Sequence, residues 1–453
     1  MGGINFKYCK DTEKTMLNRK EQENAGLLGL LPDEITQYTV NSYLTTGNID
    51  SLRSTCRFFA SNPEWQHIAK LKYKKIFSGY HCSFLLDRGR LYGFGEIPNY
   101  FRDNQQGIRS QTGLCVSIVL PNQIPIAQIA YEINAADGYS IIRAIDGTVY
   151  AYGLDALKQL RLGHEASSSS FAPIPIPDNK RIRHVAFGIE HIIMLADDGT
   201  VFGCGQNKNG NLGVGVLFNR SALNPIPVPH GDLIKEVATG DDHTIMLSKE
   251  GKVYGCGKNT NGQLGIGSYY NQSRLISVPI PNFKRIRHVT ACDNRTILLA
   301  EDGTVYGCGS NLHGALGINR RLHNTSMPTL IPIPKKKRIQ QVAACNQSMV
   351  LLAEDGTVFG CGRNARKQLG IQEERLRTLT EIPLPKNSRI QQVAIGFHHL
   401  LMMDQDERLY GCGDNTQGAL GHIQKGRSAL IPIDLHELLR QQTKEEETIK
   451  PRI

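Results

Sequence analysis

The stretch that decides the fold reads Asp198-Gly199-Thr200-Val201-Phe202-Gly203-Cys204-Gly205. Close copies lie at residues 250–257, 302–309 and 355–362, and weaker copies lie at 88–95, 146–153 and 406–413. From Gly203 onward, the first glycines of successive Gly-x-Gly elements are 52, 52, 53 and 51 residues apart. Seven copies at a period of about fifty residues indicate a repeat protein.

Each copy lies within a pattern of four short strands. An apolar run such as Ile192–Leu195 precedes it, and the Asp-Gly pair predicts a hairpin because both turn positions tolerate positive φ. A loop such as Asn259–Gly265 follows, and then an Ile-Pro stretch that leads into Arg-Ile. Four strands per repeat are typical of a propeller blade, so we expect a mainly β fold with a seven-bladed β-propeller over residues 76–433.

The Asp-Gly turn, the Gly-x-Gly element and the Asn-x-x-Gly-x-Leu-Gly loop recur in this order over residues 78–433. They resemble the repeats of the regulator of chromosome condensation family, which implies a seven-bladed propeller. Blades 1 and 2 depart from the pattern, because residues 96–112 and 154–161 lack the loop signature. The last repeat stops after Leu430-Ile431-Pro432-Ile433, so we expect strands between Lys75 and Leu86 to complete that last blade and close the ring.

The segment before the propeller has a different character. Residues 1–24 are polar and are expected to be disordered, whereas apolar residues at helical spacing predict a small three-helix domain over 25–75. This domain resembles an F-box, and the matching residues include Leu31, Pro32, Ile35, Leu44, Leu52, Cys56, Arg57 and Trp65. The resemblance implies docking to a Skp-type adaptor of a cullin ubiquitin ligase; the alternative is a helical cap on the propeller. The tail, 434–453, is expected to be helical or disordered.

One repeat position stands out as a candidate recognition ring. Eight residues before the turn glycine, or before its equivalent Glu407, the successive blades carry His81, Tyr139, His191, His243, Arg295, Ser348 and His399. Either this is a hydrogen-bonding histidine repeated from blade to blade, or the blades that depart from histidine line a recognition face. No carboxylate or cysteine shares the repeat phase, so the pattern does not predict a metal site.

The cysteines and the basic residues suggest packing and surface roles. The Gly-Cys-Gly cysteines are expected to be small packing residues, as are Cys292 and Cys345; the first group comprises Cys204, Cys256, Cys308, Cys361 and Cys412. None of the eleven cysteines has CxxC spacing, which fits a reducing compartment and argues against structural zinc.

The net charge is +10, and basic clusters recur at 180–184, 284–288 and 335–338, with a weaker copy at Lys386 and Arg389. They predict a basic rim that is either a solvated face or a binding surface for an anionic membrane or a nucleic acid. No apolar run approaches the ~20 residues that a transmembrane helix needs.

These features favour a binding protein over an enzyme, since the sequence has no nucleophile motif and no phosphate-binding loop. We expect the substrate-recognition subunit of an SCF-type ubiquitin ligase, with no cofactor and no metal, whose propeller binds a target protein. The alternatives are an exchange factor for a Ran-type small GTPase, which the repeat family includes, and a plain scaffold.

The predicted location is the cytoplasm, with the nucleus as the alternative. F-box units joined to such repeats also resemble effectors of intracellular bacterial pathogens, and Glu445-Glu446-Glu447 resembles a type IV translocation signal. An effector would act in the host cytosol.

Overall fold

The computed structural model describes residues 75–78, 82–87, 90–95, 116–117, 132–136, 139–144, 146–152, 172–318, 323–416, 418–420 and 427–433. These residues form seven sheets of four strands, and the strands of each sheet follow one another along the chain. The mainly β fold with four-stranded blades is thereby confirmed. The segment 1–24, the F-box-like domain up to residue 74 and the tail 434–453 lie outside the described residues.

Each blade contains four consecutive strands. Blades 1 to 3 contain β1 Lys75–Ser78, β2 Cys82–Asp87, β3 Arg90–Gly95 and β4 Val116–Ser117; β5 Glu132–Ala136, β6 Tyr139–Arg143, β7 Val149–Tyr152 and β8 Ala172–Pro173; and β9 Ile182–Phe187, β10 His191–Ala196, β11 Val201–Gly205 and β12 Arg220–Pro225. Blades 4 and 5 contain β13 Ile234–Thr239, β14 His243–Ser248, β15 Val253–Gly257 and β16 Gln272–Ser277; and β17 Ile286–Cys292, β18 Arg295–Ala300, β19 Val305–Ser310 and β20 Asn324–Leu330. Blades 6 and 7 contain β21 Ile339–Cys345, β22 Ser348–Ala353, β23 Val358–Arg363 and β24 Arg375–Glu381; and β25 Ile390–Ile395, β26 His399–Asp404, β27 Leu409–Gly413 and β28 Arg427–Ile433. Short 3-10 turns lie at Pro177–Asn179, Pro229–Gly231, Pro281–Phe283, Leu312–Gly314 and Pro334–Lys336.

The hydrophobic core lies between the blades rather than inside any one of them. A blade is a single sheet, so it can bury its two faces only against its neighbours. Between blades 5 and 6, for example, Ile297 and Leu316 pack with Val342, Leu351 and Phe359. The middle strands β10, β14, β18, β22 and β26 are buried along their whole length, which explains why their sequences are continuously apolar rather than alternating.

The Asp-Gly turns form the predicted hairpins with a different backbone geometry. At the turn of blade 3, Gly199 N–H donates to the carbonyl of Ala196 (3.0 Å), and Thr200 N–H donates to Asp198 Oδ1 (2.9 Å). Gly199 has φ of +91°, whereas Asp198 is not among the residues with positive φ. This is a three-residue loop with glycine at the left-handed position, so only the second residue of the pair uses positive φ.

The turn glycine also makes room for an arginine of the next blade. A Cβ built on Gly303 would overlap Cγ of Arg338, which precedes β21. Arg338 donates through Nη2 to the carbonyl of Glu301 in blade 5 (2.8 Å), and its Nε lies 2.8 Å from Glu354 in blade 6. The recurrent Asp-Gly and Arg-Ile pairs are therefore two halves of one contact between blades.

The predicted closure of the ring is wrong. The strand containing Leu430–Ile433 is the fourth strand of a complete blade, and the strands near Lys75 belong to a separate complete blade. The Ile-Pro stretch ends a blade at its outer edge, where proline removes no ladder hydrogen bond, instead of beginning the next one. Blades 1 and 7 meet face to face, where Ile76 and Leu85 pack with Leu401 and Ile433.

We predict that Gly303→Ala lowers the free energy of unfolding by about 3 kcal/mol. About 1 kcal/mol comes from the positive φ, and the rest comes from displacing Arg338. The matched control is Gly231→Ala, because Gly231 has φ of +67° and no atom within 4 Å of a new Cβ. Urea unfolding of both variants measures the difference; equal losses would show that the contact with Arg338 contributes nothing.

Candidate functional site

The candidate ring residues share one structural position. Tyr139, His191, His243, Arg295, Ser348 and His399 each begin the second strand of a blade. His81 lies outside the described residues, and the register indicates a different residue for blade 1. Ser78 pairs with Ser83 as Thr239 pairs with Thr244, so Cys82 stands where His243 stands in blade 4. The alignment by sequence is therefore shifted by one residue in blade 1.

The histidines of the ring are buried and bond to the following blade. His191 Nε2 lies 3.2 Å from the hydroxyl of Thr244, and that hydroxyl donates to the carbonyl of Asn211 (2.7 Å). His243, Thr296 and Gln263 repeat this arrangement one blade further on. Because the threonine proton goes to the carbonyl, the histidine must donate, so each ring carries a proton on Nε2.

Where the ring residue is a histidine, the following blade supplies a hydroxyl. The three described histidines, His191, His243 and His399, lie within hydrogen-bonding distance of Thr244, Thr296 and Ser83 respectively. Tyr139, Arg295 and Ser348 are followed in the next blade by Ile192, Met349 and Leu400, which have no hydroxyl. Histidine thus occurs where a hydroxyl can accept its proton, which supports the hydrogen-bonding interpretation over a recognition ring.

Arg295 is a buried cation whose side chain bonds to groups of its own blade. Its side chain is 2% exposed and pairs with Asp293 (Nη2 to Oδ2, 3.0 Å). Nη1 donates to the carbonyl of Ala315 (3.4 Å), and Nη2 also lies 3.8 Å from Cys292 Sγ. Asp293 in turn accepts from the backbone N–H of Gln347 in blade 6 (2.9 Å). This departure from histidine therefore joins blades 5 and 6 rather than lining an open face.

Burial moves the pKa values of two ring histidines well below neutral pH. The pKa of His191 is lowered to about 4 and that of His243 to about 3, in both cases mainly because burial penalises the imidazolium. Nearby, the pKa of Asp241 is raised to about 6 by burial and by the charge of Asp293.

The Gly-Cys-Gly cysteines are buried thiols at the blade interfaces, whereas Cys292 and Cys345 are only half-buried. Cys256 donates its S–H to the carbonyl of Asn211 in the preceding blade (3.4 Å), and Cys308, Cys361 and Cys412 make the equivalent contact. Burial raises the pKa of Cys204 to about 12, so the thiol stays protonated. Within the described residues, no group of three or more potential metal ligands comes together.

The basic rim is largely neutralised by acids of the same rim. The ion pairs are Lys180–Asp198, Arg181–Asp197, Lys284–Asp302, Arg285–Glu301, Lys335–Glu381, Lys337–Asp355 and Arg338–Glu354. The hydrogen bond from Lys180 lowers the pKa of Asp198 to about 2. This pairing favours the solvated face and gives the predicted anionic partner no support.

The opposite end of the blades carries the long loops between third and fourth strands. The signature asparagine holds each loop: Asn207 Oδ1 accepts from the N–H of Leu212 (2.9 Å), and its Nδ2 donates to the carbonyls of Val216 and Phe218. Phe218 is nevertheless 77% exposed, and Tyr270 in the next blade is 80% exposed. Rigid loops that present large apolar side chains suit protein binding.

The repeat matches the profiles of a known family. The profile of the regulator of chromosome condensation (RCC1) repeat matches residues 198–247, 250–299, 302–352 and 355–403. A second profile of the same repeat matches 182–211, 234–263 and 390–419. Residues 182–419 belong to the RCC1 repeat family. The resemblance seen in the sequence is confirmed for this part of the chain.

Plant and mammalian proteins resemble this chain over its RCC1 repeats. The chain is 27% identical to the Arabidopsis thaliana ultraviolet-B receptor UVR8 over 305 residues, which are 64% of this chain and 69% of the receptor. It is 26% identical to the mouse regulator of chromosome condensation over 353 residues, which are 73% and 82% of the two chains. It is also 26% identical to the human probable E3 ubiquitin-protein ligase HERC6, over 52% of this chain but only 24% of that protein.

Solved structures support the fold. Yeast RCC1 (Prp20) superposes with a TM-score of 0.61 at 19% identity, covering 82% of this chain and 83% of Prp20. Human WBSCR16 superposes with a TM-score of 0.59 at 20% identity, covering 66% of this chain and 80% of that chain. The predicted adaptor-binding residues, from Leu31 to Trp65, lie outside the described residues. Nowhere in the described ranges is there a helix long and apolar enough to cross a membrane.

We predict that His191→Gln flattens the pH dependence of stability. Gln keeps an N–H donor for Thr244 but does not titrate. Because the folded pKa of His191, about 4, lies below its unfolded value, its stabilising effect is present at pH 7 and is lost as the pH falls toward 4. Between pH 7 and pH 5, wild type should lose about 2 kcal/mol more than the variant.

Urea unfolding at each pH measures this difference. The comparison with wild type is needed because Asp241, with a raised pKa, contributes in the opposite sense over the same range. The control is His230→Gln, since His230 is exposed. Identical pH profiles for wild type and His191→Gln would contradict the buried neutral imidazole.

Proposed function

We propose that this protein is a non-catalytic substrate receptor of an SCF-type ubiquitin ligase, with the propeller binding the target protein. The observation that supports the binding role is a difference in environment between two groups of side chains. The buried histidines, threonines and cysteines are engaged in contacts between blades. Large apolar side chains, such as Phe218 and Tyr270, are instead exposed on the loops that the signature asparagines hold.

The adaptor half of the proposal rests on the F-box-like residues of the N-terminal segment. Leu31, Pro32 and Ile35 open the motif, and Trp65 lies near its end. A three-helix unit of this size has more apolar surface than it can bury alone, which suits a partner groove. Strand β1 begins at Lys75, only ten residues after Trp65, so little linker separates the two parts.

The mechanism of such a receptor is proximity. A target held by the propeller is brought near a charged ubiquitin-conjugating enzyme on the cullin, which raises the effective concentration of its lysines. No bond is made or broken by the receptor itself. This role places the protein in the cytoplasm or nucleus, where those partners are found.

The second candidate is nucleotide exchange on a Ran-type small GTPase. It is favoured by the match over 82% of the mouse regulator of chromosome condensation. It is also favoured by the structural likeness to yeast Prp20p, whose binding to Gsp1p and histones has been studied. Residues 96–112, where the repeat pattern is lost, would have to supply the contact with the GTPase.

We predict that the full chain binds a purified Skp-type adaptor, and that Leu31→Ala combined with Pro32→Ala weakens binding at least tenfold. Both changes remove apolar surface from the first turn of the motif, and a loss of about 1.4 kcal/mol suffices for tenfold. The control is Leu330→Ala, which alters an exposed leucine of the propeller. Absence of binding by wild type in a pull-down contradicts the receptor role.

We predict that the full chain leaves the rate of nucleotide release from a Ran-type GTPase unchanged. The measurement is loss of a fluorescent guanine nucleotide at micromolar concentrations of both proteins. An acceleration that disappears when residues 96–112 are shortened would establish the second candidate in place of the first.

A further inference from the structure

The loops of neighbouring blades meet through a pair of amide side chains. Asn271 in blade 4 donates through Nδ2 to Asn209 Oδ1 in the loop of blade 3 (3.3 Å). Asn324 in blade 5 donates in the same way to Asn261 in the loop of blade 4 (3.1 Å). Two neutral groups thus satisfy each other at these two blade boundaries.

The boundary between blades 5 and 6 has cationic side chains at the same two positions. His313 takes the loop position of Asn261, since each precedes the glycine of its loop. Arg375 takes the strand position of Asn324, since each lies opposite the residue after the last Gly-x-Gly glycine. A neutral amide pair is therefore replaced by an imidazole and a guanidinium.

A second arginine lies directly across the sheet from Arg375. Arg363 and Arg375 are register partners, and Asn364 N–H donates to the carbonyl of Glu374 (2.8 Å). This bond identifies Arg363–Arg375 as a non-hydrogen-bonded pair, the kind whose Cα atoms approach to about 4.5 Å and whose side chains are closest. Like charges placed directly opposite are destabilising unless something compensates them.

Blade 4 pairs the equivalent cation with a carboxylate, and blade 6 does not. Lys258, the equivalent of Arg363, pairs with Asp242 (3.3 Å), whereas blade 6 has Gln347 at the position of Asp242. Among the described residues, no carboxylate forms an ion pair with Arg363 or Arg375. The pKa of His313 is lowered by burial and by the charges of Arg375 and Arg363, which lie near enough to repel the imidazolium.

We propose that His313, Arg363 and Arg375 form a binding site for a phosphoryl group carried by the target protein. A phosphoryl group brings close to two negative charges and three acceptor oxygens, which matches two guanidinium groups and an imidazole N–H. A single carboxylate would leave one arginine uncompensated. The assignment of the occupant to a target protein rests on the proposed function, but the anion site itself does not.

Neighbouring charges favour an isolated phosphoryl group over a polyanion. Glu373 and Glu374 are exposed immediately before Arg375 and would repel the continuing phosphates of a nucleic acid. The site also lies at the end of the blades that carries the exposed aromatic loops, where the target is proposed to bind.

The test measures inorganic phosphate binding by the full chain, from the shift of its thermal unfolding midpoint relative to chloride at equal ionic strength. Binding to the folded state raises the midpoint. Three variants restore the residues of the neighbouring blades: His313→Asn, Arg363→Ser and Arg375→Asn. We expect each to bind phosphate at least fivefold more weakly, and Arg375→Asn to be no less stable than wild type without phosphate.

The control is Arg408→Asn, which removes an exposed arginine paired with Asp406 and should bind phosphate as wild type does. A wild-type shift equal to that in chloride overturns the site, and so does a phosphate effect that survives in all three variants. This measurement does not involve adaptor binding. A negative result would therefore overturn the phosphate site without bearing on the receptor role.

A library of phosphoserine and phosphothreonine peptides, compared with the same library unphosphorylated, then tests the occupant. We expect retention of the phosphorylated members by wild type and its loss in Arg375→Asn. Equal retention of both libraries would reduce the site to an inorganic anion site only, and stronger binding of a single-stranded oligonucleotide would replace the protein target with nucleic acid.

Discussion

At the four boundaries between blades 3 and 7, the structure depends on one carbonyl group each, at the residue before a Leu-Gly pair. The carbonyl of Asn211 accepts both the hydroxyl of Thr244 and the thiol of Cys256, and His191 donates to the same hydroxyl. A carbonyl has two lone pairs, and leaving either unused in a buried interface costs free energy. Three side chains and one loop are thereby tied together, and the sheets can stack only in register.

This bonding explains how residue types that often carry chemistry are used to join neighbouring blades. A histidine with its Nε2 proton in a hydrogen bond and its pKa lowered by burial is a weak base at pH 7. A protonated thiol that donates to a carbonyl is not a nucleophile. The sequence repeats these residues because they join neighbouring blades.

Blade 6 shows how a binding feature can arise within such a repeat. The backbone register of β23 and β24 matches that of the other blades, yet their amide and ion pairs are replaced by Arg363 and Arg375. The cross-strand repulsion is tolerated because the rest of the blade, including the buried strand β22, supplies the stability. Departures that leave a charge uncompensated are more informative about function than departures that restore a local hydrogen bond, as Arg295 does with Asp293.

The sequence by itself determined the blade. Its period, the Asp-Gly hairpins and the four-strand pattern are local features, set by backbone geometry over a few residues. Contacts between blades could not be derived in the same way, because they join residues about fifty positions apart in sequence. Tertiary structure therefore decided that Leu430–Ile433 ends its own blade, that Cys82 rather than His81 begins its strand, and that the basic rim is paired. It also decided which side chains are engaged in contacts between blades, since a hydrogen bond or an ion pair exists only once both partners have been brought together.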